Sequence, residues 1–537
     1  MALAMAAFLC IAVGPAVLAS RPAAVGQPIF PDSSVADFSF LLDPPAGKHG
    51  FLTVDATGRF VWPNGKRARF WGVNISGRSI FVDGPTVERV TATLRRAGVN
   101  MVRFEALDSD GGLLEDASGH PLRTPDAAKL AMLDYWTRNL RQYGIYYYFD
   151  LLDLRTFREG DGVPDAARLP RAGRPYSMFD PRLITLQKEY AEELLLHRNP
   201  HTGLRYVDDP ALAMVEICNE SGFFLRPSDV ARMPEAMVRI LRERWNRWLV
   251  QRYGSRDRLA GAWTHGGAGD SALRIAEDPA AGTVELPILD GAGAAGSDAR
   301  LVPERYADGV RFLIEVQQEY FREMRTYLRS IGLQVPVTGV TSRQYLGDAV
   351  SSLPLDFTAG NYYCDHPAFP DGEWQGPLHF ADTNPLRETG VHRSAPTFAS
   401  YRWGRRPVVI REWAQPWPNR YRCVAPAEMA AYGLLQDVDG LLLFGYRVAP
   451  YPDRLGDFDY QADPTVWGLM GPAALTFLRG DIRPAPVGVT IRHTAREVLQ
   501  PPGTIGDALK LAWNVRVRNV FEEWPDASAW KPSVAPM

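Results

Sequence analysis

Eight times between residues 68 and 445, a short apolar run of strand length gives way to a loop and then to a segment with helical spacing. The runs fall at 68–75, 99–105, 145–152, 212–218, 335–340, 357–362, 407–411 and 440–445. The run at 212–218 is apolar at nearly every position, which is how a parallel strand buried on both faces reads. Between the runs, Val87, Val90 and Leu94 fall on one helical face, as do Leu130, Leu133 and Leu140, and again Leu183, Leu186, Tyr190 and Leu194. Asp180-Pro181 is a cap followed by a first-turn proline, and Gly98, Gly144 and Gly332 each stand between a helical segment and the next run. Eight strands alternating with helices predict an α/β protein built as a (β/α)8 barrel with long βα loops. A doubly wound open sheet is the alternative, but no Gly-rich phosphate-binding fingerprint supports it.

The same rhythm sets the domain boundaries. The barrel is expected over 67–480, preceded by a linker and β approach segment at 20–66 with turns at 56–58 and at Asn64-Gly65. Beyond 480 the alternation stops, leaving a tail or small β appendage at 481–537. Residues 2–18 are apolar and end in Val17-Leu18-Ala19-Ser20, a small-x-small pattern, so 1–19 reads as a signal peptide cut after Ala19. This predicts a secreted or periplasmic protein. No Lys or Arg precedes Arg21, so an uncleaved anchor or a different start codon stays open. No later run reaches the roughly 20 apolar residues of a membrane span.

At 46% hydrophobic residues the chain can fill a large core, and its net charge of −3 is spread over mixed acidic and basic residues. No basic face points to nucleic acid, and no polybasic cluster points to anionic lipid. With Cys10 in the leader, Cys218, Cys364 and Cys423 are too few and too scattered for a disulfide framework or a zinc site. The nine His residues show no paired spacing suited to a metal, so neither metal nor cofactor is expected. Nothing in the sequence speaks to oligomeric state.

The chemistry concentrates at strand ends. The fourth run ends in Asn219-Glu220 and the seventh in Glu412-Trp413. Strands four and seven lie across the mouth of an eight-stranded barrel, so their terminal carboxylates can face each other. A facing pair about 5–5.5 Å apart is what a retaining glycosidase uses, one carboxylate as nucleophile and one as acid/base. Structural carboxylates paired with arginine are the bland alternative. Arg103, in the second run, is a cation that would keep such a carboxylate ionised. An interior salt bridge, for instance to Glu216, is its alternative role.

This pattern resembles the retaining (β/α)8 glycoside hydrolases of clan A, the cellulase-like family 5 group and its relatives, from about residue 69 to 445. In that clan the Glu after strand four is the acid/base and the Glu after strand seven the nucleophile. The resemblance therefore implies those roles for Glu220 and Glu412. It also implies that Arg103 bonds the nucleophile and that Asn219 holds a sugar 2-hydroxyl. The clan's nucleophile-binding Tyr maps onto Tyr363 or Tyr362 in Gly360-Asn361-Tyr362-Tyr363. Family 5 often has His-x-Tyr there; Asn361 replaces the His, and the spacing favours Tyr363. His366 is a further candidate for lining the site, as is Trp413. Strand eight of the family usually supplies a Trp beneath the sugar, whereas this chain reads Leu443-Phe444-Gly445-Tyr446. Tyr446 is expected to stack in its place. The segment Trp245-Asn246-Arg247-Trp248-Leu249 through Trp263 is similar to a helical segment of the family 42 β-galactosidases.

No Gly-x-Ser-x-Gly elbow, Walker loop or His-Glu-x-x-His is present. The expectation is a retaining hydrolase cleaving β-glycosidic bonds of an oligo- or polysaccharide. An exo-acting β-galactosidase-like enzyme and a non-catalytic carbohydrate-binding barrel are the alternatives; the latter has no reason to keep both Glu220 and Glu412.

Overall fold

The computed structural model describes residues 36–222, 227–264, 271–287, 303–339, 346–370, 378–387, 390, 392–448, 455–499 and 506–524. The leader at 1–19, parts of the long loops at 264–298 and 364–406, and the last residues of the tail lie outside them.

All eight expected strands are present: β1 (Phe70–Ser76), β2 (Met101–Glu105), β3 (Tyr146–Asp150), β4 (Leu212–Glu216), β5 (Val337–Thr338), β6 (Thr358–Tyr363), β7 (Val408–Ala414) and β8 (Gly440–Leu443). They pair in parallel in the order β5-β4-β3-β2-β1-β8-β7-β6, so the first strand lies between the second and the eighth as barrel closure requires. The remaining seam, between β5 and β6, is stitched by Asp356. Its backbone N–H donates to Val337 O at 2.9 Å. Its carboxylate accepts from Val337 N at 2.9 Å, Arg325 Nη2 at 2.6 Å and Arg329 Nη2 at 2.7 Å. Side chains thus do there what a ladder does elsewhere.

Helices follow the strands. α1 (Gly84–Arg96), α2 (Ala127–Gln142) and α3 (Pro181–Leu195) follow β1, β2 and β3. Each is N-capped by an aspartate that accepts from the first turn: Asp83 from Thr86 N, Asp126 from Lys129 N and Asp180 from Arg182 N and Leu183 N. Their apolar faces, including Val87, Leu94, Leu133, Leu140, Leu186 and Leu194, are buried against the sheet. After β4 come α4 (Glu235–Tyr253), α5 (Arg256–Ala262) and the 28-residue α6 (Pro303–Ser330). Here Trp245 stacks on Trp248 and Trp263, and Trp263 Nε1 donates to Asp308 at 2.9 Å, so these tryptophans hold helix to helix. α7 (Leu346–Ser351), α8 (Ser394–Ser400), α9 (Ala425–Leu435) and α10 (Pro464–Arg479) complete the outer ring. No helix among the described residues is long and apolar enough to cross a membrane.

The N-terminal end of the barrel is plugged. Thr53–Val54 and Phe60–Val61 form an antiparallel hairpin on either side of the Gly58 turn. Phe60 packs edge-on against Phe70 of β1 and Phe357 at the start of β6, and Trp62 stacks on Tyr146 of β3 with centroids 4.8 Å apart. At the other end of the chain, Gly488–His493 pairs in parallel with Arg516–Phe521. This small unit docks on the helical layer: Asn519 Nδ2 donates to Ala399 O at 2.8 Å and Gln436 Nε2 to Val515 O at 2.7 Å. With the bottom filled, the C-terminal ends of the strands are the open face.

Candidate active site

Alternation along β2 points Arg103 and Glu105 into the barrel, and the same rule brings Asn74 in from β1 and Glu216 from β4. Arg103 is wholly buried and is ringed by acceptors. Nη1 reaches Asn74 Oδ1 at 3.0 Å and Glu412 Oε1 at 3.1 Å; Nη2 reaches Asp150 Oδ2 at 2.9 Å, Asn219 Oδ1 at 3.3 Å and Glu216 Oε2 at 3.4 Å. Arg103 thus contacts both Glu412 and Glu216. A second buried guanidinium, Arg411, bonds Glu412 Oε1 and lies 3.4 Å from Glu216 Oε1. Two consecutive residues, Arg411 and Glu412, face the same cluster because β7 carries one residue more than either neighbour. Ile410 is opposite Gly360 and Leu441, while Glu412 is already opposite Asn361 and Trp413 opposite Leu443. Such a bulge re-aims side chains at a strand end.

Above this layer Glu412 and Glu220 meet. The Asn361 amide nitrogen donates to Glu220 Oε1 at 2.6 Å and to Glu412 Oε2 at 3.0 Å. Sharing one nitrogen keeps these two oxygens no more than about 5.6 Å apart, which admits the roughly 5–5.5 Å of a retaining pair and falls short of the roughly 6.5–9.5 Å that an inverting pair needs for water. Tyr363 OH donates to Glu412 Oε2 at 2.6 Å. Glu220 itself has φ +43°, a left-handed conformation that a side-chain-bearing residue holds only where its surroundings fix it. Its bond to Asn361 is one such constraint.

The two carboxylates are driven apart in acidity. Burial pushes Glu412 up, but Arg411, Arg103 and the Tyr363 hydroxyl outweigh it and hold the carboxyl below the ordinary glutamate value. Burial also pushes Glu220 up, and the Glu412 charge adds to it; Arg411 and Arg174 oppose without reversing the direction. Burial, then the charges of Glu412 and Glu220, raise Tyr363 well above an ordinary phenol, so its hydroxyl remains a donor. The two shifts run in opposite directions, Glu412 toward its ionised form and Glu220 toward its protonated form. Among the described residues no group of three or more His, Cys, Asp or Glu side chains is arranged to hold a metal ion.

No family model matches the sequence, and no curated protein matches it. Solved structures do align. A β-galactosidase from the Antarctic haloarchaeon Halorubrum lacusprofundi is 16% identical with TM-score 0.56, covering 86% of this chain and 67% of that one. A β-galactosidase from the psychrophilic Marinomonas ef1 is 12% identical with TM-score 0.52, covering 84% and 70%. At that identity the likeness speaks to architecture alone. The chain is a (β/α)8 barrel.

The barrel's remaining predicted residues divide sharply. Asn219 lies beside Arg103, and its Nδ2 donates to Asp153 Oδ1 at 2.5 Å. His366 borders the cluster, its ring 5.0 Å from Tyr363 and its Nδ1 bonded to Pro367 O at 2.8 Å; burial lowers its basicity. Tyr362 points the other way, against Phe398. Trp413 is not brought to the site: one position beyond the bulge its side chain faces outward, 5.8 Å from Trp71, which packs on Phe477 of α10. Tyr446 is also displaced, its ring 4.9 Å from Trp467 of α10. The aromatic that reaches the site from β8 is Phe444, half-buried, 5.9 Å from Tyr363 and 5.4 Å from Phe458. Phe444, Asn361 and Glu105 were missed by sequence reading. Glu105 was accessible to it, since i+2 from Arg103 on a strand must share its face.

Proposed function

We propose that this protein is a retaining glycoside hydrolase that cleaves β-glycosidic bonds of an oligo- or polysaccharide. The observation that carries the reading is the Asn361 amide holding Glu220 and Glu412 within one nitrogen's reach, with opposite shifts in acidity. Glu412, ionised between Arg411, Arg103 and Tyr363, attacks the anomeric carbon. The bond to the departing oxygen breaks as that oxygen takes the Glu220 proton. Arg103 and Tyr363 keep the attacking carboxylate oriented toward the mouth. Once the glycosyl ester forms, Glu412 is neutral and the charge that helped keep Glu220 protonated is gone. Glu220 then draws a proton from water, which attacks the same carbon and frees Glu412. Phe444 and Phe458 offer ring faces to the C–H surface of the sugar.

The test is the stereochemistry of the first product. Proton NMR during hydrolysis of an activated aryl β-glycoside should show the β-anomer first, with the α-anomer following only by mutarotation. Immediate α product would reject double displacement. Glu412→Ala should be rescued by azide with inversion and Glu220→Ala with retention; wild-type rates in both variants would remove the assignment altogether.

A further inference from the structure

The cluster holds one carboxylate more than the reaction uses at the level of the mouth. The acidic side chains around Arg103 form a gradient of exposure along the barrel axis: Glu216 0%, Asp150 1%, Glu412 4% and Glu105 9%. Glu216 and Asp150 belong to the closed floor, and the Tyr148 hydroxyl donates to Glu216 at 2.6 Å. Glu105 does not. It is the last residue of β2, in register with Ser76 at the end of β1; Asp150 and Glu216 likewise end β3 and β4, and Glu105 differs from them in keeping 9% of its side chain exposed. Ser76 Oγ donates to Glu105 Oε2 at 2.7 Å, and the same Arg103 nitrogen that bonds Glu412 lies 3.5 Å from that oxygen. Both of these contacts fall on one oxygen.

The reaction gives the cleft a direction. Glu220 protonates the departing oxygen from the β4 side, so the leaving part of the substrate extends over β4 and the retained sugar lies on the opposite side. There β8, β1 and β2 are consecutive neighbours, presenting Phe444, Ser76 and Glu105. We propose that Glu105 is a specificity-determining carboxylate that binds a hydroxyl of the retained sugar remote from the anomeric carbon. This rests on the glycosidase reading above. A carboxyl group suits the task in either protonation state: ionised it accepts from a sugar hydroxyl, and protonated it can also donate. Burial, followed by the nearby Glu412 charge, raises its pKa well above the ordinary carboxylate value, a shift toward the protonated form. Phe444 would supply the ring face and Glu105 the polar edge for one sugar.

The test is a double-mutant cycle between enzyme and substrate. kcat/KM is measured for wild type, Glu105→Ala and Glu105→Gln on the best aryl β-glycoside of a panel and on its 3-, 4- and 6-deoxy analogues. In wild type, one deoxygenation should cost about tenfold to a hundredfold, the scale of a hydrogen bond to a charged group. In Glu105→Ala that same deoxygenation should cost less than about threefold while the other positions keep their wild-type penalty. Glu105→Gln, which preserves shape and one acceptor, should recover part of the discrimination and keeps the test intact if the Ala variant folds poorly. A role confined to positioning Arg103 would lower every substrate equally and leave the cycle additive, and additivity at all three positions overturns the proposal while the hydrolase reading stands. If wild type cleaves no glycoside and Glu412→Ala changes nothing, the hydrolase reading fails and takes this inference with it.

Discussion

Removing one hydroxyl from Tyr363 tests how Glu412, the nucleophile of the proposed mechanism, is kept ionised. Glu412 Oε2 has two donors, Tyr363 OH at 2.6 Å and the Asn361 amide at 3.0 Å, and Tyr363→Phe deletes the shorter. The ring is retained, together with its contacts to His366, Phe444 and Phe458, so the fold should be undisturbed. A hydrogen bond to a charged group contributes about 1.5–3 kcal/mol, and about 1.4 kcal/mol corresponds to one pH unit of titration, so Glu412 should titrate roughly 1–2 units higher. The sign is fixed by which form works. Under the proposed mechanism Glu412 must be ionised; its pKa is held low in the folded protein, and losing a donor to the ionised form raises it. The acid limb of kcat/KM should therefore move toward neutral pH while the alkaline limb, governed by Glu220, moves little. The assay is a pH profile of kcat/KM with an aryl glycoside whose leaving group needs protonation, so that both limbs appear. An acid limb unchanged in position, even with a lowered plateau, would show that Tyr363 only orients the carboxylate. A limb displaced to lower pH would refute the electrostatic account.

Four further outcomes are expected. Glu220 has a raised folded-state pKa, so its contribution to stability is present below the unfolded value and lost as pH rises through the folded one; Glu220→Gln should raise the unfolding temperature at pH 7, and the gain should vanish near pH 4 in differential scanning calorimetry. Asn361→Asp puts a third negative group between two carboxylates and should destabilise by about 3–5 kcal/mol unless it protonates, read by urea denaturation at pH 5 and 8 with a smaller loss at pH 5. Trp413→Phe should cost about 1–3 kcal/mol of stability with KM unchanged, whereas Phe444→Ala should raise KM about tenfold with little loss of stability, a contrast visible in paired denaturation and kinetic measurements. Edman sequencing of protein recovered from the medium or periplasm should begin at Ser20; a cytosolic chain starting at Met1 would count against export.

Much of the barrel was legible because burial on both faces writes strands as apolar runs and helices as one-sided stripes, and all eight runs became strands. What was not legible depends on register. Reading Trp413 as a substrate contact required its side chain to follow Glu412 inward, but the extra residue in β7 spends its inward positions on Arg411 and Glu412 and sends Trp413 to the helical layer. A bulge in a parallel strand leaves no local signature in composition. Tyr446 failed for a related reason. Once β8 ends at Leu443, alternation no longer governs, and the chain turns Phe444 into the mouth and Tyr446 onto Trp467. Asn361 was noticed only as a departure from a family pattern. Its double bond to the carboxylates is a three-body arrangement of β4, β6 and β7, which one segment of sequence cannot reveal.

The hairpin that plugs the barrel has a consequence for how the molecule is made. Phe60 leaves the ribosome well before Phe357, one of the rings that shelters it, at the start of β6, and β1 itself receives its partner Gly440 later still. At translation rates of about 5–20 residues per second, the interval between Phe60 and Phe357 is on the order of tens of seconds. Throughout that time the aromatic rings of the plug have no completed surface to rest on. Closure of the barrel therefore waits on β8, and the plug cannot be fully covered before the strands that flank it have been made.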